Sequence, residues 1–420
     1  MKISIKQPTI ETILLAYFFT SPIWRDLIFD KFSAAWVLNP VIILSLFGMV
    51  LIKKRKCLKQ YIDIFIVYLI IFLLFFIKFF ANNEMSVWMT RTYGLKHMLY
   101  WGWFLGYGVI RVQSNTDSVL DCLKKVGIVL FIYYALKSME VLKYGYWTIT
   151  QFGEVKYSKG NMSWSYGIMQ SICFIAIYLV KDKRYYMIVP FIIGVIGILI
   201  YGSRGTLVAL VLGTVLLVTF YHSGKMRVRN FIVIAIFSGL LIFILSDKGL
   251  NIISDILIKN GVESRFVNSL LNYTNFEETS NGRVLIWEKT WEMITKGPFW
   301  GYGVYGERNV IYSIGMRWGY CHNLFLEFLV DFGYVFGSAA VIMLLVVLIK
   351  SFIATHDKNT KLCLIIFLTI MFELLLSNSY WLQSGVWITV ALCVNILIKA
   401  SIEKKRLLQI YSDNFRQSAI

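Results

Sequence analysis

The sequence predicts an all-α integral membrane protein of about twelve transmembrane helices with one long extracytoplasmic loop. Hydrophobic residues make up 58% of its 420 positions, against roughly 45–50% in an ordinary soluble domain. Apolar runs of the ~17–25 residues that cross ~30 Å of hydrocarbon recur along nearly the whole chain. Its Lys and Arg residues collect in alternate connections, the pattern that orientation in a membrane imposes.

Taken in order, the run at 9–22 is the weakest. Lys2 and Lys6 precede it, Pro22 closes it and no small-residue cleavage site is evident, so it reads as an uncleaved first span. Runs at 34–52, 61–80, 96–112, 119–142, 162–180, 185–201, 204–221 and 230–246 then complete an N-terminal helix bundle over 1–246. The segment 247–321 is polar and rich in Gly, Asn, Ser and Trp; ordered loops of that length are usually functional. Within it, 284–295 places apolar residues at helical spacing after Ser280-Asn281-Gly282, which predicts a short amphipathic helix capped there. Pro298, Gly301, Gly303 and Gly306 predict a turn-rich stretch beyond. Runs at 322–349, 361–377 and 381–399 form a C-terminal group over 322–400, and 401–420 is a tail.

With the N-terminus inside, the basic loops at 53–60, 181–184, 223–230 and 350–361 and the tail all face the cytoplasm. The loops at 81–95, 143–161, 202–204, 247–321 and 378–380 then face outward. In a soluble protein the net charge of +18 would suggest nucleic acid. Its confinement to short loops makes orientation the simpler cause, and no nucleic acid partner is expected. Cys57, Cys122, Cys173, Cys321, Cys363 and Cys393 are scattered singly, with no spacing for a disulfide framework or a metal site. Cys321 adjoins His322, but sequence neighbours are not thereby nucleophile and base, and a packing role is the simpler one.

Three residues on the outward side stand out. Arg204 lies in Tyr-Gly-Ser-Arg-Gly-Thr, where a guanidinium offers bidentate donors to phosphate oxygens; a snorkelling anchor is the other reading. Arg283 opens the expected loop helix, and a helix N-terminus with an Arg suits an anion as well as it suits plain surface. His322 begins the next span and could accept a proton near neutral pH, or act as a hydrogen-bonded structural residue. Helical geometry would put Leu326, Leu329 and Gly333 on its face, with Glu327 and Asp331 elsewhere, more suited to neutralising an Arg or Lys than to catalysis. No Asp-x-Asp or carboxylate cluster appears in the outward loops, so no metal or cofactor is expected and Arg would do the work of a cation.

Together Tyr-Gly-Ser-Arg-Gly-Thr at 201–206, Gly-Arg-x-x-x-Trp at 282–287, Gly-Pro-x-x-Gly-Tyr-Gly at 297–303 and His322-Asn323 followed by Gly333 resemble the O-antigen ligase and O-antigen polymerase superfamily. The clear matches cover roughly 201–337, with one departure: the ligase pattern closes with Gly-x-x-Gly, whereas here Gly333 is followed by Gly337 and Phe336 takes the expected position. The resemblance implies a GT-C-like, metal-independent glycosyltransferase of the bacterial plasma membrane that uses an undecaprenyl-diphosphate-linked glycan. It further implies that Arg204 and Arg283 bind the diphosphate and that His322 orients or deprotonates the acceptor hydroxyl, with inversion at the anomeric carbon. Asn323, Glu327 and Gly303 enter as supporting residues.

The first expectation is a polymerase joining lipid-linked repeat units into O-antigen, capsule or a similar polysaccharide, with a flippase and a chain-length regulator as expected companions. A ligase that moves the finished glycan to lipid A–core is the alternative. A transporter of the lipid-linked glycan is the rival from another class; it would place ionisable residues near the midplane rather than at one face.

Overall fold

The computed structural model describes residues 8–29, 35–92, 94–151, 154–158, 161–221, 247–259, 282–316 and 319–418. The run at 230–246 and the expected cap residues Ser280 and Asn281 lie outside them. The N-terminal part comprises α1 (Ile10–Trp24), α2 (Ala35–Lys53), α3 (Ile62–Ala81), α4 (Asn83–Val87), α5 (Leu95–Leu99), α6 (Trp103–Arg111), α7 (Thr116–Tyr144), α8 (Met162–Val180), α9 (Ile188–Tyr201) and α10 (Arg204–Phe220). Then follow α11 (Asp247–Lys259), α12 (Arg283–Lys296), α13 (Arg308–Ser313), α14 (Leu324–Ala354), α15 (Lys358–Met371) and α16 (Gly385–Ser418). An antiparallel hairpin of β1 (Trp147–Gln151) and β2 (Glu154–Ser158) adds a small strand element to the all-α expectation.

Among the described residues, four stretches are long and apolar enough to cross a membrane: Arg55–Ala81, Met162–Val180, Leu324–Ala354 and Gly385–Ile410. Shorter apolar helices cover Leu38–Lys53, Tyr185–Tyr201 and Gly205–Phe220. Elsewhere, charges punctuate the apolar run, as in α7, or a glycine breaks it. The single helix expected over 96–112 is two, because Gly102 has φ +81 and packs against the Trp381 and Leu382 carbonyls, where an added Cβ would lie 3.0 Å from Leu382 O.

Helix starts follow local capping chemistry: Asn115, Asn161, Ser203, Asn323 and Asp357 each accept a hydrogen bond from a backbone N–H of the first turn. The α12 start differs from expectation, since Gly282 in a left-handed conformation precedes it and supplies no side-chain cap. Inside the bundle, Phe19 of α1 meets Phe174 of α8 edge-on at 5.1 Å and stacks with Phe367 of α15 at 6.3 Å. Along α3, by contrast, Phe65, Ile66, Leu69, Ile70, Ile77 and Phe80 stay exposed, a continuous apolar face suited to lipid.

Polar contacts gather the connecting segments into two groups. One joins Glu11 to Lys53, Asp63 to Arg111, Lys124 to Asp182 and Asp117 to both Lys181 and Asn359. The other joins Ser165 to the 203–206 turn, and Arg308 and Asn323 to Ser379 and Leu375, while Tyr166 lies against Gly205 and feels the Arg283 charge. The first group includes residues of the connections at 53–60, 181–184 and 350–361, which charge counting assigned inward, and the second includes residues of connections assigned outward.

The helix α14 is not continuous. Gly333 has φ +76 and ψ 171, so a nine-residue piece ends there and the apolar remainder, 334–354, runs about 30 Å at ~1.5 Å per residue. The break frees carbonyls, and the Gly301–Gly303 loop takes them: Tyr302 N donates to Val330 O and Gly303 N to Asp331 O, both at 2.8 Å. A Cβ on Gly333 would sit 1.9 Å from Phe299 O, so the seat admits only glycine. Gly337 lies against the Phe328 and Leu329 backbone on the return, which gives the departure in glycine spacing its use.

Candidate active site

Arg204 is the first residue of α10, and its backbone is held firmly. The Ser203 hydroxyl accepts from Thr206 N at 3.3 Å and contacts the Thr206 hydroxyl at 2.7 Å. That hydroxyl lies 2.6 Å from Ser165 Oγ, which in turn accepts from Ser203 N at 3.0 Å. The Gly-Ser-Arg-Gly turn is thereby fastened to the start of α8. Tyr166, also on α8, approaches it closely: a Cβ on Gly205 would lie 2.6 Å from the Tyr166 hydroxyl.

Arg283 is half-buried at the N-terminus of α12, and its charge acts on both Tyr166 and His322. One turn later Trp287 donates its indole N–H to Cys321 O at 3.0 Å. The Arg and Trp of Gly-Arg-x-x-x-Trp thus share a face: one supplies charge to the site, and the other anchors the segment that carries the histidine.

His322 is not a helical residue, which corrects the expectation that Leu326, Leu329 and Gly333 continue its face. Asn323 is the extended cap of α14, accepting from Phe325 N at 3.0 Å and Leu326 N at 3.1 Å, so the helix begins only after it. His322 itself has φ +54, a left-handed conformation uncommon outside glycine, and its ring lies 4.4 Å from that of Tyr320. Its Nδ1 is buried with no hydrogen-bond partner among the described residues. Burial foremost, then Arg283 and Arg308, push its pKa down to about 3. It is therefore neutral at physiological pH, with a nitrogen available to accept a proton.

The supporting residues turn out to serve the frame. Asn323 caps α14, Gly303 seats the loop on the helix break, and Glu327 is 1% exposed, accepting from Arg308 Nη2 at 2.9 Å and Tyr380 N at 3.2 Å. Asp331 accepts from the Tyr380 hydroxyl at 2.8 Å and Trp381 Nε1 at 2.6 Å. Cys321 is fully buried and its thiol is pushed far up by burial, as a packing residue would be.

Sequence reasoning missed three charged residues here. Arg308 lies at 0% exposure, among Glu307, Glu327 and Ser379, in a loop without periodicity to flag it. Glu373 is 9% exposed, accepts from Asn378 Nδ2 at 2.7 Å and acts electrostatically on Tyr166 and Tyr320. Lys78 of α3 donates to Tyr302 O. For the last two a signal existed, namely a charge within an apolar run.

Residues 189–342 match the family model described as O-Antigen ligase. The match contains Arg204, Arg283, Arg308, His322 and the Gly333 break, and stops short of Glu373. No curated protein matches the chain.

Proposed function

We propose, from the match of residues 189–342 to the family model described as O-Antigen ligase, that this chain is a polysaccharide polymerase of the plasma membrane's outer face. It would join undecaprenyl-diphosphate-linked repeat units without a metal. The observation that carries the reading is the convergence of Arg283, the Arg204 turn and a neutral, half-buried His322 on one group of connecting segments. The proposed topology keeps both termini cytoplasmic, with bundle 1–246, loop 247–321 and helices 322–400 as its parts.

In this reading the donor diphosphate lies at the N-termini of α10 and α12, where the helix dipoles favour an anion. Arg204 and Arg283 stabilise the charge that develops on the departing diphosphate. His322 accepts the proton of the acceptor hydroxyl as that oxygen attacks the anomeric carbon. A base held near pKa 3 is weak, but the bound diphosphate offsets the Arg283 charge that helps to depress it, and so raises its basicity when the donor is in place.

The family description favours one second reading, a ligase that transfers a finished glycan to lipid A–core. Purified protein incubated with undecaprenyl-diphosphate repeat units and no core acceptor separates the two. A ladder of chain lengths supports the polymerase. Transfer that appears only on adding lipid A–core makes it a ligase, and no new bond under either condition overturns both.

A further inference from the structure

We propose that Arg308 is a positioning residue for His322: held by Glu327 and Ser379, it fixes the 319–323 segment on which the imidazole is presented. The inference rests on the reading of His322 as the acceptor base.

The geometry is that of a hub. Arg308 Nη2 donates to Glu327 Oε1 and to Ser379 Oγ, each at 2.9 Å, while Nη1 reaches Glu307 and, at 3.4 Å, Gly319 O. Its guanidinium lies over the Tyr305 ring at 4.7 Å and the Tyr320 ring at 5.5 Å, and Tyr320 in turn contacts the His322 ring. Four segments distant in sequence therefore meet on one side chain. A point charge could not hold them, because the planar fork supplies separate donors in fixed directions.

The conformation of His322 explains why such a hub is needed. A left-handed backbone at a non-glycine residue costs ~1–3 kcal/mol and persists only where its surroundings over-determine it. Here the pins fall in series along the segment: Arg308 on Gly319 O, Trp287 on Cys321 O, and Asn323 Nδ2 on Leu375 O at 3.4 Å. Buried ion pairs are poor contributors to stability, and this cluster sets both Glu307 and Glu327 on one guanidinium, with Lys78 acting on Glu307 from α3. Such a cluster is better accounted for by placement than by stability.

The test compares Arg308→Lys, which keeps the charge and loses the fork, with Ser379→Ala, which leaves every charge in place. Full-length protein in detergent is given undecaprenyl-diphosphate repeat units. Positioning predicts that kcat falls about ten- to a hundredfold for Arg308→Lys and less for Ser379→Ala, with the donor KM within about twofold of wild type. A KM rise with kcat intact would make Arg308 a substrate contact and overturn the proposal. The second readout needs no turnover: modification of His322 by diethylpyrocarbonate, followed by peptide mass spectrometry between about pH 5 and 8. Arg283, Arg308 and Tyr320 are the charged or titratable groups that face His322 among the described residues. With the charges kept, the ring stays neutral across that window in wild type and in both variants, so a changed modification rate reports the loss of its fixed presentation. An unchanged rate in both variants overturns positioning. A changed rate in protein that makes no polysaccharide upholds it while removing the reading of function.

Discussion

Arg111 and Arg308 are both buried, at 5% and 0% exposure, yet their surroundings differ in kind. Arg111 donates to Asp63 at 2.8 Å, Asn395 at 2.7 Å and Gln60 O at 2.5 Å, and lies 5.3 Å from the Tyr61 ring. One carboxylate answers one guanidinium, and α3, α6 and α16 are tied at one end of the bundle. Arg308 meets two carboxylates, Glu307 and Glu327, beside an imidazole whose Nδ1 has no partner among the described residues. The first is a balanced clamp, which stability alone accounts for. The second leaves hydrogen-bonding capacity unused at the imidazole among the described residues, which is expected where a structure is built to receive something.

Loss of the residues at the active end should separate activity from stability most sharply. His322→Ala and Arg283→Ala should each lower product formation about 10²–10⁴-fold while the melting temperature stays near wild type; full activity in either would collapse the contrast. Arg111→Met should do the reverse. It leaves the partly exposed Asp63 with only the Tyr107 hydroxyl among the described residues, so about 1–3 kcal/mol of stability should go, measured by thermal unfolding in detergent, with the surviving fraction turning over at the normal rate. A kinetic defect at fixed folded fraction would mean that the clamp is no mere clamp.

The pH dependence sharpens the comparison further. His322 is held below its ordinary 6.5, at about 3, by burial and then by Arg283 and Arg308. Between those values the unfolded chain binds a proton that the folded one refuses, so stability falls as pH drops through that window and is untouched above it. Wild type should therefore lose melting temperature on acidification more steeply than His322→Gln, and parallel curves would contradict a buried neutral histidine. Smallest of all, Asn323→Ala should cost about 1 kcal/mol as a lost helix cap. It should lower activity only modestly, because Trp287 still holds the Cys321 carbonyl.

Hydropathy made the helical, apolar character of the chain legible, since it depends on composition summed over many residues. Positions where one residue decides were harder to read. Gly102 and Gly333 each sit in runs whose average is helical, and only their partners, the 381–382 carbonyls and the 299–303 loop, require the chain to break there. Arg204, Arg283 and His322 stand out as candidates because residue type and the side assigned by charge counting agree. Glu327 was correctly read as the neighbour of a cation, but Arg308 lay in a segment with no pattern and was missed. Glu373 was passed over although a carboxylate within 361–377 is itself a signal.

The stitch between the Gly301–Gly303 loop and the broken α14 also supplies two built-in reporters. The amides of Tyr302 and Gly303 belong to a loop, where hydrogen exchange is ordinarily fast, yet they bond to helix carbonyls. Their exchange with deuterium should be as slow as that of a folded helix for as long as the loop stays seated. Followed under different conditions, those two amides would tell whether the loop rides rigidly with α14 or lifts away from it.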